Sequence, residues 1–223
     1  LENPEPQYEF LYDLLNKSGS HIVCLSDRIQ KEFVSRGCDS TNVSILPCGI
    51  DVELYSMDEK NILYPNRSIV VGKVEPRKRQ SFLQGKGLNI DFIGNNVDPT
   101  FDTNDPCYFG EQSKQDIMDN LTSYANMVLL SSGEAHPFVC LEGMASGLGL
   151  VLSEQSTANL DLSKPFITVI PDDKFNDTDY LKKEIEKNRK ISLPIRKEIR
   201  QYCKDNFDWC VIIEKYKEII ESI

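Results

Sequence analysis

The chain has 223 residues, 40% of them hydrophobic, with 35 acids against 25 bases and a formal net charge of −10. That is enough apolar material for one large packed domain, and the dispersed acids read as a solubilising surface. The acidic balance excludes the phosphate backbone of nucleic acid as a partner, and no apolar run nears the roughly 18–20 residues of a membrane span.

Residues 1–20 open on an acidic, proline-containing segment and continue into an amphipathic stretch in which Leu11, Leu14 and Leu15 recur at helical spacing. His21 to Leu25 reads as a buried strand, and Ser26-Asp27 starts a helix that ends at Gly37. Val43 to Leu46 is the next strand, followed by the turn Pro47-Cys48-Gly49-Ile50-Asp51. Ser68 to Gly72 is a strand that runs into the bases Lys73, Arg77, Lys78 and Arg79, with a helix over Gln80–Gln84. Leu88 to Gly94 is a strand, Cys107 to Gly110 a short one, and Ser113 to Tyr124 a helix with Ile117, Met118 and Leu121 on one face. Met127 to Leu130, Leu150 to Leu152 and Phe166 to Pro171 complete the strands. From Asp177 the chain reads as helical: a charged helix over Tyr180–Lys190, a second with Pro194 in its first turn, and a last amphipathic one after Asn206-Phe207-Asp208. Strands alternating with helices imply an α/β fold with a doubly wound parallel sheet.

The stretch Ser131 to Gly147 concentrates the chemistry. It links a strand to a short helix whose residues Phe138, Val139, Cys140, Leu141, Met144 and Ala145 leave no polar face, so the helix is expected to be buried. Glu142 lies in it and must find donors. Either an ion pair with Lys73, Lys78 or another base supplies them, or the vicinal diol of a ribose does. Glu134 precedes the helix, where an acid favours the helix dipole. Between the two lie first-turn N–H groups suited to an anion; Pro137 removes one donor, and His136 either adds one or is a plain loop residue. Lys73 and Lys78 follow a buried strand and suit a diphosphate, the alternative being a solvated charge run. Arg77 and Arg79 are read as solvent-facing. Seven cysteines with no C-x-x-C pair point to reduced thiols and a cytoplasmic setting, and the two histidines leave no zinc site.

These elements, in this order, resemble the retaining GT-B glycosyltransferases of family 4. Ile22 to Ser26 resembles the family's strand-plus-serine element; Ile45 to Asp51 its I-P-N-G-V-D turn, with Cys48 for asparagine. Val71-Gly72-Lys73 through Lys78 resembles its V-G-R and following K-G, with Lys73 for arginine and Arg79 for glycine. Glu134 to Gly147 resembles the E-x7-E motif, and Asn206-Phe207-Asp208-Trp209 with its helix resembles the closing F-S-W helix.

The resemblance implies one GT-B half: a remnant of the interdomain region over 1–20, a Rossmann-like donor-binding domain over 21–205 and a closing helix over 206–223. Gly72, Lys73 and Lys78 would hold the diphosphate of an NDP-sugar, UDP or GDP. Glu142 would hold the ribose hydroxyls and Glu134 those of the transferred sugar. Backbone N–H groups from His136 and Phe138 to Val139, around Pro137, would approach the sugar and diphosphate, and the turn at Tyr108-Phe109-Gly110 would lie by the base. Catalysis would rest on Lys73, Lys78 and Glu134, with no cofactor and no metal.

Three departures qualify this. His136-Pro137 stands for the family's Phe-Gly, Ser153 to Asn159 lacks its glycine pair, and the chain has the length of one half, with the acceptor domain absent. It also begins at Leu1, which reads as a fragment or processed start. The chain alone is therefore expected to bind a nucleotide diphosphate and transfer little sugar. A catalytically silent interaction module is the rival reading, and a nucleotide-sugar epimerase on the same scaffold a third.

Overall fold

The computed structural model describes residues 6–60 and 62–223; the acidic opening of the chain, 1–5, lies outside them. Five strands form one wholly parallel sheet: β3 (Tyr64–Val71), β4 (Ile90–Ile93), β5 (Tyr124–Leu129), β6 (Gly149–Ser153) and β7 (Ile167–Ile170), in the spatial order β4-β3-β5-β6-β7. The order reverses at β3, with β4 on one side and β5 on the other.

Alternation along the strands builds two cores. Ile69, Val71, Met127, Leu129, Leu150 and Leu152 face one layer, packed by α5 (Phe138–Ala145) and α7 (Arg196–Phe207) through Leu141, Met144, Ile199, Cys203 and Phe207. Val70, Val128 and Val151, one residue out of phase, face the other, with Leu83, Leu88, Phe101 and the α6 (Thr178–Ser192) residues Leu181 and Ile185. Both faces of a parallel sheet must be covered, and a period of two sends neighbours to opposite layers.

Beneath the charged surface of α6 runs a buried polar seam. Asn188 donates to the carbonyls of Leu150 and Phe166, each at 3.0 Å, and accepts from Asn126 at 2.9 Å. Arg189 donates to Ser68 Oγ at 3.0 Å and to the carbonyls of Leu88 and Asn89 at 2.6 and 3.0 Å. Helix α6 crosses Gly149 so closely that a Cβ there would overlap Ser192.

The strands β1 (Ile22–Cys24) and β2 (Val43–Ile45), read above as part of one doubly wound unit over 21–205, pair only with each other. β1 is also not buried on both faces, since Val23 is 45% exposed. α2 (Asp27–Ser35) and Tyr12 of α1 (Pro6–Ser18) pack on this small sheet, and Leu11 and Leu14 stay exposed.

Two expected elements differ. Cys107–Gly110 is not a strand but makes a single bridge, Phe92 to Tyr108. The helix expected over Ser113–Tyr124 is α4 (Lys114–Asn120) and a 3-10 turn over Leu121–Ser123, with Tyr124 already in β5. Pro194 falls in a 3-10 turn, Leu193–Ile195, ahead of α7. The last helix, α8 (Trp209–Ser222), lays the Trp209 ring against Gly49, where a Cβ would lie 2.5 Å from the indole.

Candidate functional site

Parallel strands deliver their carboxyl ends to one edge, where open α/β sheets bind ligands. Here β3 ends in Gly72-Lys73, β4 in Gly94, β5 in the loop 131–137 and β6 in the segment 154–159. Gly72 and Gly94 have φ of 133° and 146°, a region that only glycine enters readily. A Cβ on Gly94 would run into the carbonyl of Gly72. The Gly94 N–H meanwhile donates to the Gly110 carbonyl at 2.8 Å. Glycines therefore let two backbones touch and open a cleft of about 330 Å³ lined by Gly72, Lys73, Gly94, Asn95, Gln112 and Ile117.

The two lysines converge on this cleft. Lys73 lines it and is exposed. The Lys78 ammonium sits directly over Gly72, 2.6 Å from where a Cβ would be. Neither lysine makes an ion pair among the described residues, so both charges are available to an anion. Arg77, read as solvent-facing, is 45% exposed and also reaches the glutamate loop: it pairs with Glu134 at 3.1 Å and Glu75 at 2.7 Å and donates to the Gly133 carbonyl. Proximity of the two loops forces this, because Ser132 N–H already donates to the Arg77 carbonyl at 2.8 Å. Arg79 lies over Phe175 and near Asp172, away from Glu134.

Both glutamates are largely buried, with side chains 9% (Glu142) and 15% (Glu134) exposed. Glu142 has a base, and it is neither Lys73 nor Lys78. Lys114, the first residue of α4, bonds its Oε1, and the Tyr55 hydroxyl donates to the same oxygen at 2.9 Å. Burial, and then the Glu142 charge, push the Tyr55 phenol far up, so it keeps its proton and donates. Glu134 Oε1 accepts from Ser131 Oγ at 2.9 Å. Arg28 of α2 donates to the Glu134 carbonyl and, at 3.0 Å, to Gln155 Oε1, bridging the small sheet to the glutamate loop. Cys140, in the first turn of α5, feels Glu134, Lys78 and Glu142 together. Its thiol is pushed up by burial and then by Glu134, so it is an inert packing group.

Among the other expected residues, Pro137 is the N-cap of α5, and Phe138 and Val139 form its open first turn. Phe109 lines a second, more apolar cleft of about 200 Å³ that shares Ile93, Gln112 and Ile117 with the first. The Tyr108 side chain turns into the sheet layer, against Phe101, and its hydroxyl donates to the Gly94 carbonyl at 2.7 Å. Tyr108 thus braces the cleft floor.

His136 also points inward. Its ring packs on Phe207 at 6.0 Å, and Asn159 donates to Nδ1 at 3.0 Å while bonding the Leu25 carbonyl with the same amide. Burial lowers its pKa below the ordinary 6.5. An unfolded imidazole then binds a proton that the folded one resists, so stability falls as pH drops below about 6.5, by at most about 1.4 kcal/mol per pH unit for one proton. His136→Phe is expected to remove this component: urea midpoints of variant and parent should diverge progressively from pH 7 to pH 5, with the parent weaker at the acid end. Parallel curves would contradict it.

The residues that sequence reasoning missed are Tyr55, Lys114, Ser131 and Arg28. Only Ser131 carried a local signal, three residues before Glu134.

No protein-family model matches the sequence, and no curated protein does. Solved structures do match its shape. Anabaena HepE in complex with UDP and glucose superposes with a TM-score of 0.75 at 15% identity, over 98% of this chain and 69% of its own. Sucrose-phosphate synthase from Thermosynechococcus elongatus gives 0.75 at 14% identity, over 99% and 62%. WaaG, a glycosyltransferase involved in lipopolysaccharide biosynthesis, gives 0.64 at 14%, over 90% and 62%. The fold is that of a GT-B Rossmann-like half. The chain spans about two thirds of the length of these proteins. Among the described residues no helix is long and apolar enough to cross a membrane.

Proposed function

We propose that this chain is the nucleotide-sugar-binding domain of a retaining glycosyltransferase of the family 4 type, which moves a hexose from an NDP-sugar to a glycan or other acceptor. The observation that carries the reading is the placing, at one sheet edge, of two lysines that make no ion pair among the described residues, Lys73 lining the glycine-floored cleft and Lys78 over Gly72, beside the loop and helix that carry two largely buried glutamates. In this reading Lys73 and Lys78 neutralise the diphosphate and stabilise it as it leaves. Glu142 takes the ribose hydroxyls, Glu134 those of the sugar, and the first turn of α5 adds N–H groups. HepE, of the same fold, has been solved with UDP and with UDP-glucose, which makes UDP the first donor to try. No cofactor and no metal have a part. The acceptor is assigned to a domain that this chain does not span, and the unpaired cysteines fit a reducing, cytoplasmic compartment.

Two features favour the silent module instead: both glutamates already carry a protein cation, and 153–159 has no glycine. Thermal unfolding with UDP, GDP and ADP decides between them. At 100 times its dissociation constant the cognate nucleotide should add about 2.7 kcal/mol of stability. Glu142→Ala should abolish that shift. No shift with any of the three at millimolar concentration leaves the module.

A further inference from the structure

Each site glutamate is anchored through one oxygen only. Glu142 Oε1 takes the Tyr55 hydroxyl and the Lys114 ammonium. Glu134 Oε1 takes the Ser131 hydroxyl and lies 3.1 Å from an Arg77 nitrogen. In both, Oε2 accepts no hydrogen bond from the described residues. One hydroxyl and one cation on Oε1 thus recur at two carboxylates, supplied by four residues from unrelated places: the end of the turn at 52–54, the start of α4, the turn at 76–78 and the end of β5.

We propose that Lys114 and Tyr55 are positioning residues for ribose recognition, which fix the Glu142 carboxylate so that Oε2 alone is presented to a cis-diol. This deepens the function proposed above and rests on it. A carboxylate without anchors can turn about its last torsion and offer either oxygen. A cation and a hydroxyl on one oxygen remove that freedom, leaving the lone pairs of the other for two ribose hydroxyls. Lys114 is not there to fill space, since its side chain is 55% exposed. Its ammonium is nevertheless confined, with the rings of Tyr55 and Phe138 each 5.4 Å away. Arg77 and Ser131 hold Glu134 in the same manner.

The test is calorimetric titration of the whole chain with UDP and GDP, each against its 2′,3′-dideoxy analogue. The parent should prefer the ribonucleotide by about tenfold or more, the worth of a hydrogen bond to a charged acceptor. Lys114→Met should shrink that preference to under about threefold and leave affinity for the dideoxy form within about twofold, because the lost term belongs to the two ribose hydroxyls alone. Lys114→Arg should restore it. Tyr55→Phe, which keeps the ring, should act in the same direction as Lys114→Met. Equal loss for both ligands would overturn the proposal, as a merely structural role predicts that result. Tighter binding by Lys114→Met would overturn it too, making Lys114 a plug. An undiminished preference in Lys114→Met removes this proposal but not the nucleotide-binding function. A parent that binds neither UDP nor GDP removes both.

Discussion

Arg196→Met is expected to destabilise the domain by about 3–5 kcal/mol, a large share of the roughly 5–15 kcal/mol that holds a domain folded. Arg196 is 2% exposed and makes no carboxylate pair among the described residues. Its guanidinium donates to the carbonyls of Tyr124 and Thr122 at 2.7 Å and of Ser146 at 2.9 Å, and to Thr122 Oγ1 at 2.9 Å. Those acceptors are the turn before β5, the first residue of β5 and the end of α5, so one side chain joins three elements of the sheet layer. Burial pushes its pKa down to about 10, and it remains charged at neutral pH. Removing it strands several buried carbonyls, each worth about 1–3 kcal/mol when unpaired, partly offset by a charge no longer buried. Arg196→Lys should recover only part, because one ammonium cannot span the planar fork. Urea denaturation measures this, and a loss under about 1 kcal/mol for Arg196→Met would sink the argument.

Gly94→Ala should be nearly as damaging and should also close the site. An alanine at φ of 146° is strained, and its Cβ has no room against the Gly72 carbonyl. Strain of about 1–3 kcal/mol and a forced backbone shift of about 1–3 kcal/mol add, for an expected loss of about 2–6 kcal/mol. The shift must part the ends of β3 and β4, which form the cleft floor. Thermal unfolding should therefore show a lowered midpoint and no rise on adding the nucleotide that stabilises the parent. A variant with the parent's midpoint and the parent's response would show that the close contact is dispensable.

Much of the fold is legible in the chain because parallel strands buried on both faces are continuous apolar runs, as at Ile69-Val70-Val71 and Met127 to Leu130. Burial of α5 follows from its lack of a polar face, and with it the need of Glu142 for donors. The identity of those donors does not follow. Lys114 and Tyr55 stand 28 and 87 residues from Glu142, and only the tertiary fold joins them. Arg77 is exposed as its charge run suggests, but its pairing with Glu134 is not legible in sequence, because only the tertiary fold lays the second loop beside it. Asn188 and Arg189 sit in a helix that reads as charged, yet both are buried, because the helix lies across β3, β5 and β6 and these two residues bond the sheet and the segments leading into it. The helix expected as far as Tyr124 overruns because Leu121 suits a helix face and a strand approach equally. The small β1–β2 sheet escaped notice since three-residue strands look alike whichever sheet they join.

Among the described residues, the Glu134 side chain has one local partner, Ser131. The loop is otherwise held from a distance, by Arg77, Ser153, Gln155, Asn159, Phe207 and Arg28, the last 106 residues away in sequence from Glu134. Contacts of such separation form only after loop-closure entropy has been overcome, so this segment gains order late in folding and is among the first to lose it. Amide exchange in the loop should accordingly run ahead of exchange in β5, two residues upstream.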